Sequence, residues 1–260
     1  EGNDKLPPIV TLGGVEGTTA AECKVISSTK RTLHCVTGDH VTSGPVPVFV
    51  TIDGVRSEQV EGKNSTFEFL APEIDAVVPE VLPSYGSTLI DITGRFYGDD
   101  KDKLFVVIGG VPCVDLEVVS DEHLRCMAPP HRPPTIADLD ESQTVIVTYN
   151  KASSDANGTS VRYKAPELRR VVPDRGYRDI AHTITLEGRF LGKGDDVETT
   201  VLLGADSLCG NVKRVTEHIV TCEVPPGFSG KFDVTVRVGE DSSTLNGAFT
   251  RDDAKIILDT

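Results

Sequence analysis

Polarity alternates in short runs along most of this chain. Thr88–Thr93 (TLIDIT), Phe105–Ile108 (FVVI), Val145–Tyr149 (VIVTY), Thr183–Leu186 (TITL) and Phe232–Val238 (FDVTVRV) are rich in β-branched residues, and most set polar and apolar side chains in turn. Successive side chains of a strand point to opposite faces, so a period of two predicts strands buried on one side. Glycines and prolines interrupt the runs at intervals of about ten residues, a turn spacing typical of sheet proteins. No window long enough for an amphipathic helix carries apolar residues at helical spacing. The expectation is an all-β chain.

The runs recur. Ala71-Pro72-Glu73-Ile74 returns 94 residues later as Ala165-Pro166-Glu167-Leu168. Val77-Val78-Pro79 returns as Val171-Val172-Pro173, and Gly94-Arg95-Phe96 as Gly188-Arg189-Phe190. Leu104–Gly109 (LFVVIG) matches Thr199–Gly204 (TTVLLG), and Cys126-Met127-Ala128-Pro129-Pro130 matches Cys222-Glu223-Val224-Pro225-Pro226. A unit of this length with about seven short strands suits an antiparallel two-sheet sandwich. The first segment holds only the later part of the unit: Ile9–Gly14 (IVTLGG), a cysteine pair, Val46–Ile52 (VPVFVTI) and Phe67-Glu68-Phe69. Lys255-Ile256-Ile257-Leu258 falls where the first strand of another unit would begin. The chain therefore divides into a partial unit at 1–70 that lacks its front strands, whole units at 71–165 and 166–253, and an opening strand at 254–260. Two explanations fit: an excerpt of a longer array, or a partial unit completed by a neighbour with residues 254–260 as donor strand. Very short, proline-containing junctions predict a semi-rigid series of units.

Cysteine spacing adds the compartment. Cys23 and Cys35 lie 12 residues apart, Cys113 and Cys126 13, and Cys209 and Cys222 13, with far longer gaps between the pairs. This spacing selects one bridge within each unit, each worth roughly 3 kcal/mol on the chain-entropy model. No CxxC or HxxxH pair is present to begin a zinc site. Two sequons, Asn64-Ser65-Thr66 and Asn157-Gly158-Thr159, stand at matching points of the repeat. Bridges and sequons together predict an extracellular, secretory-pathway location at the cell surface or beyond it, with glycans on Asn64 and Asn157.

Charge narrows the partners. Lys and Arg number 26 against 40 Asp and Glu, a formal charge of −14, which repels nucleic acid and anionic lipid alike. No apolar run is long enough to insert this segment directly into a bilayer. Tryptophan is absent and aromatics make up 5%, too few for the stacking platforms of a carbohydrate-binding module.

The order VVP, GRF[YL]G, a hydrophobic strand ending in Gly-Gly or Gly-Ala, then Cys, a short interval, Cys, two residues and Pro-Pro resembles the IPT/TIG domain. That is the immunoglobulin-like module of plexins, of the hepatocyte growth factor receptor group and of Rel-type transcription factors. The likeness covers residues 73–251 well and 9–70 in part. The glycine-rich turn before the GRF strand is irregular, Ser84-Tyr85-Gly86-Ser87 in one unit and Asp174-Arg175-Gly176-Tyr177 in the next. The resemblance implies tandem early-set immunoglobulin-like sandwiches used as recognition and adhesion stalks.

No enzyme signature appears: GxSxG, the P-loop, GxGxxG and HExxH are all missing. His34, His40, His123, His131, His182 and His218 are scattered, and no catalytic residue or cofactor is assigned. The acidic clusters at 99–102, 138–141, 195–196 and 252–253 are read as solvated loops, because calcium needs about six to eight oxygens in one place. One loop departs from the repeat. The 17 residues between Cys126 and Thr144 include four prolines, whereas nine occupy the matching stretch Glu223–Lys231. A stiff loop on a rigid scaffold suits binding, so His131, Arg132, Thr135 and Asp138 are the candidate partner contacts. The leading expectation is a non-enzymatic recognition or adhesion region of a cell-surface or secreted protein. Its partner would be another protein or like copies. The alternative is a structural subunit of an extracellular filament or matrix, joined through its incomplete ends.

Overall fold

A computed structural model describes residues 7–14, 20–38, 43–59, 65–131, 141–192, 198–205 and 207–253. The strand character read from polarity holds throughout. The first unit contains β1 (Ile9–Leu12), β2 (Ala21–Ser28), β3 (Leu33–Thr37), β4 (Gly44–Ile52), β5 (Val55–Arg56) and β6 (Thr66–Phe69). The second contains β7 (Glu73–Val78), β8 (Val81–Pro83), β9 (Leu89–Arg95), β10 (Leu104–Ile108), β11 (Val111–Pro112), β12 (Val114–Ser120), β13 (His123–Met127), β14 (Ser142–Tyr149), β15 (Ala152–Ser153) and β16 (Ser160–Lys164). The third contains β17 (Glu167–Val172), β18 (Arg175–Tyr177), β19 (His182–Arg189), β20 (Thr199–Leu203), β21 (Ser207–Leu208), β22 (Gly210–Thr216), β23 (Ile219–Val224), β24 (Gly230–Val238) and β25 (Asp241–Asp252).

The second unit is a sandwich of one sheet ordered β12-β13-β9-β7 against another ordered β11-β10-β14-β16-β8. The third repeats it, with β17-β19-β23-β22 facing β18-β25-β24-β20-β21. Pairing is antiparallel except for β8 with β16 and β18 with β25, which are parallel. The Val-Val-Pro corner explains this exception: the chain leaves the first strand, crosses to the opposite sheet and runs alongside the unit's last strand.

Each unit has its own apolar cluster, and alternate strand positions supply it. Ile90, Ile92, Leu124, Val145 and Val147 are fully buried in the second, as are Ile184, Leu186, Val220, Val234 and Val236 in the third. Among the described residues the cluster of the first has five buried members: Val10, Leu12, Ala21, Cys23 and Val46. Its strands form a single connected sheet, because β2 pairs with β1 at one end and with β3 at the other.

All six cysteines are bonded, as Cys23–Cys35, Cys113–Cys126 and Cys209–Cys222. Each bridge joins adjacent or nearly adjacent stretches of one unit, and none links two units. The GRF motif has a steric cause. A Cβ on Gly94 would overlap the Glu73 carbonyl oxygen, and one on Gly188 would overlap that of Glu167. The following residues, Phe96 and Phe190, are left-handed at φ 65° and 55°. That kink sends the next side chain inward, so Tyr97 and Leu191 are fully buried while Phe96 stays 40% exposed.

Candidate functional site

The loops at the exit end of the second unit lie where the chain passes into the third. The parallel pairing of β8 with β16 puts Pro83 beside Lys164, with only two residues left before β17 begins. The next residues, Ser84-Tyr85-Gly86, turn across this end. Ser84 donates its N–H to the Lys164 carbonyl and accepts at its own carbonyl from the His131 N–H, at 2.8 and 2.9 Å. A Cβ on Gly86 would run into the Pro129–Pro130 backbone, which accounts for the glycine in this otherwise irregular turn.

Tyr85 projects from that turn into the third unit. It is buried in the same cluster as Leu168, Val171 and Leu191. Its hydroxyl meets the backbone N–H of Gly192, and Glu217 and Arg214 stand nearby. Burial, with a smaller contribution from the Glu217 charge, pushes the phenol up to about 12. The junction is thus a side-chain clamp in addition to a short linker. No repeat pattern marks this contact, since the third unit's corresponding turn has no tyrosine at that place.

The diproline after each second cysteine is held in the same way in both whole units. Tyr163 donates its hydroxyl to the Pro129 carbonyl at 3.0 Å. The register β18–β25 puts Arg251 at the matching position, and its Nη2 donates to the Pro225 carbonyl at 2.7 Å. Arg251 is 5% exposed and lies over the Phe232 ring, and burial lowers its pKa.

The candidate loop residues divide. His131 packs its ring against Tyr163, with centroids 5.0 Å apart, so it anchors the base of the proline-rich loop. Arg132, Thr135 and Asp138 lie outside the described residues, as do Asn64 and residues 254–260. Asn157 is exposed on a turn whose backbone N–H is held by Asp155 Oδ1 at 2.8 Å. His123 and Arg125 both reach Asp91, at 2.7 Å, forming a cross-strand ion cluster that holds the Asp91 carboxyl below the usual range. Asp100 receives the Asp102 N–H and pairs with Lys103 at 3.0 Å, so this acidic loop is bonded within itself. Among the described residues no group of three His, Cys, Asp or Glu side chains is placed to hold a metal ion.

Two of the open grooves among the described residues are large. One, in the third unit, is bordered by Arg169, Arg170, Arg175 and Lys231. Its arginines face carboxylates: Glu167 at 2.7 Å, Glu187 at 3.7 Å and Asp252 at 3.6 Å. The balance of charge there leaves little attraction for an anion. The other groove, in the first unit, is mostly apolar, has a volume of about 750 Å³ and is lined by Val10, Leu33, Cys35, Val48, Val50 and Ile52 among others.

The IPT/TIG domain model matches residues 72–163 and again 166–250. Among solved structures the chain is similar to the Plexin A4 full extracellular region, at 14% identity and a TM-score of 0.42, covering 96% of this chain and 31% of that one. It is also similar to the I9–I11 tandem of titin, at 11% identity and a TM-score of 0.38, covering 95% and 87%. A third similar structure is the SGBP-B protein of the Bacteroides ovatus mixed-linkage glucan utilization locus, in complex with a heptasaccharide. The identity there is 16% and the TM-score 0.30, covering 94% and 58%. The chain spans about a third of the plexin region it matches.

Proposed function

The chain belongs to the IPT/TIG domain family, with two tandem copies over more than half its length, and from that premise we propose that it is a non-enzymatic recognition segment of a cell-surface or secreted protein. The observation that carries this reading is the build of the series. Each unit closes its own disulfide, and Tyr85 clamps the second unit to the third. Such a series holds its end loops at a set distance and orientation, which favours binding by reducing the ordering cost at the partner. Fully paired cysteines support an oxidising compartment, since cytosolic thiols are kept reduced. The exposed Asn157 turn suits glycosylation, and Asn64 is the matching acceptor in the first unit. The partner contact is the proline-rich loop, with Arg132, Thr135 and Asp138 beyond the His131 anchor. The acidic balance favours a basic or sugar-coated partner surface.

The test is a multimerised, secreted form of the full chain applied to a panel of cell types, beside a variant lacking residues 132–138. Saturable cell binding that the deletion abolishes, with unchanged thermal unfolding, supports the loop. Equal binding by both forms places recognition elsewhere on the chain.

A second reading is a structural subunit of an extracellular filament; what favours it is that β3 pairs with β2 alone among the described residues. Light scattering over a wide range of protein concentration separates the two. A constant monomer mass contradicts the filament.

A further inference from the structure

The glycine that ends the GRF[YL]G motif meets a tyrosine in both whole units, but the tyrosine comes from a different place in each. Gly98 and Gly192 hold matching positions, with φ positive at 71° and 97°. The residues just ahead of them are fixed alike. Tyr97 donates its N–H to the Asp121 carbonyl at 3.0 Å, and Leu191 donates to that of Glu217 at 2.8 Å. In the second unit a Cβ on Gly98 would overlap the ring of Tyr149, which ends β14 opposite Leu104. That unit therefore covers its glycine with a side chain of its own. In the third unit the same strand position is Val238, which ends β24 opposite Thr199. The backbone closes the two strand ends identically, Asn150 N–H to the Lys103 carbonyl and Gly239 N–H to that of Glu198, each at 2.9 Å. Valine has no ring to place there. The ring is supplied from outside by Tyr85 of the second unit, whose hydroxyl meets the Gly192 N–H.

The walls of the two sites differ to match. Leu104 and Val118 in the second unit become Thr199 and Arg214 in the third. A Cβ on Gly192 would meet Thr199 Oγ1 first, then Arg214 Cδ and Val238 Cγ1. Thr199 Oγ1 is buried and has no hydrogen-bond partner. A polar wall fits the wet end of an incoming phenol, and an apolar wall fits a ring rooted on its own strand. Val238 is fully buried in the cluster that holds Tyr85, whereas Tyr149 packs only partly buried against the second unit's own core. Interiors are close-packed, so a site of this kind holds one ring and not two.

We propose that both units carry one tyrosine socket beside this glycine, and that the residue at the Tyr149/Val238 position decides whether a unit is coupled to the one before it. An aromatic on the unit's own strand fills the socket and leaves the neighbour free to swing, the default for domains joined by a small interface. A short residue leaves the socket open to a tyrosine on the preceding unit's turn. Val238 is thus the specificity-determining residue of the joint between the second and third units. Tyr149 bars the second unit from receiving a clamp of the same kind. This inference concerns how units are joined and holds whatever the chain recognises.

The experiment fills the third unit's socket from within. Val238→Phe in the full oxidised chain adds a ring without adding a phenol. The expected result is that the Tyr85 phenol, read by phenolate absorbance, falls from about 12 toward the ordinary value of about 10. Small-angle scattering should show a broader distribution of interatomic distances at the same time. Combined with Tyr85→Ala, the same substitution should return the third unit's melting temperature most of the way to that of the unaltered chain, while the scattering stays broad. A third unit that unfolds with Val238→Phe alone but folds in the double variant also supports competition for one site. Val238→Phe with Tyr85 titration and scattering both unchanged overturns the proposal, because two rings then fit at once. So does a double variant no more stable than Tyr85→Ala alone, or a third unit that fails to fold in both, because the site then has no room for a ring on its own strand.

Discussion

The hydroxyl of Tyr85, on a turn of the second unit, meets the Gly192 backbone N–H of the third, and its ring is buried in the third unit's core. The two units are therefore coupled by a side chain as well as by the two residues between β16 and β17. Tyr85→Ala should leave both folds intact, lower the stability of the third by about 2 kcal/mol and free the junction. Calorimetry reads the first effect. Small-angle scattering reads the second as a broader distribution of interatomic distances. Unchanged scattering would show that the linker alone sets the angle.

Alkaline pH should weaken the chain through its buried tyrosines. Burial raises Tyr85, Tyr97 and Tyr163 above the ordinary phenol value, Tyr85 to about 12. The unfolded chain releases these protons first, so the folded state holds more protons above the normal phenol pKa. Stability from these groups is complete below a pH of about 10 and falls as pH rises through the folded values. Denaturant midpoints should decline above pH of about 10, together with the rise of phenolate absorbance. Tyr85→Phe should flatten part of that decline.

Gly94→Ala should destabilise the second unit and Gly188→Ala the third, each by about 1–3 kcal/mol, since either Cβ meets a first-strand carbonyl. Gly210→Ala is the control, as the nearest atom to its added Cβ is the Glu223 carbonyl oxygen at 3.8 Å. Separate melting transitions identify which unit has moved.

Replacing Cys113 and Cys126 together by serine should cost the second unit about 3 kcal/mol, while the first and third keep their transitions. A loss shared by all three would mean that the bridges do not act unit by unit.

Tyr163→Phe removes the donor to the Pro129 carbonyl and should cost about 1 kcal/mol. Arg251→Met removes a charged donor to Pro225 and should cost about 2–3 kcal/mol. Unfolding in denaturant checks both, with the Arg251 variant expected to be the weaker.

The readable part of this molecule was local or repeated. Period-two polarity marked most strands because a pleated chain alternates its faces whatever it packs against. The cysteine pairs were legible because each bridge spans a short, similar stretch in all three units. Phe96 shows where such reading ends. The repeated motif marks its position but not its direction: a left-handed backbone turns it outward and sends Tyr97 in. His131 reads as an exposed loop residue but rests on Tyr163, an element 32 residues further along the chain.

The amino-acid order by itself determined the all-β character, the repeat and the bridges, since each follows from spacing along the chain. Only the tertiary structure decided that Tyr85 belongs to the neighbouring core and that Tyr163 and Arg251 do one job. Those facts depend on which distant backbones come within a few ångströms of one another, and one-dimensional periodicity carries no record of such approach.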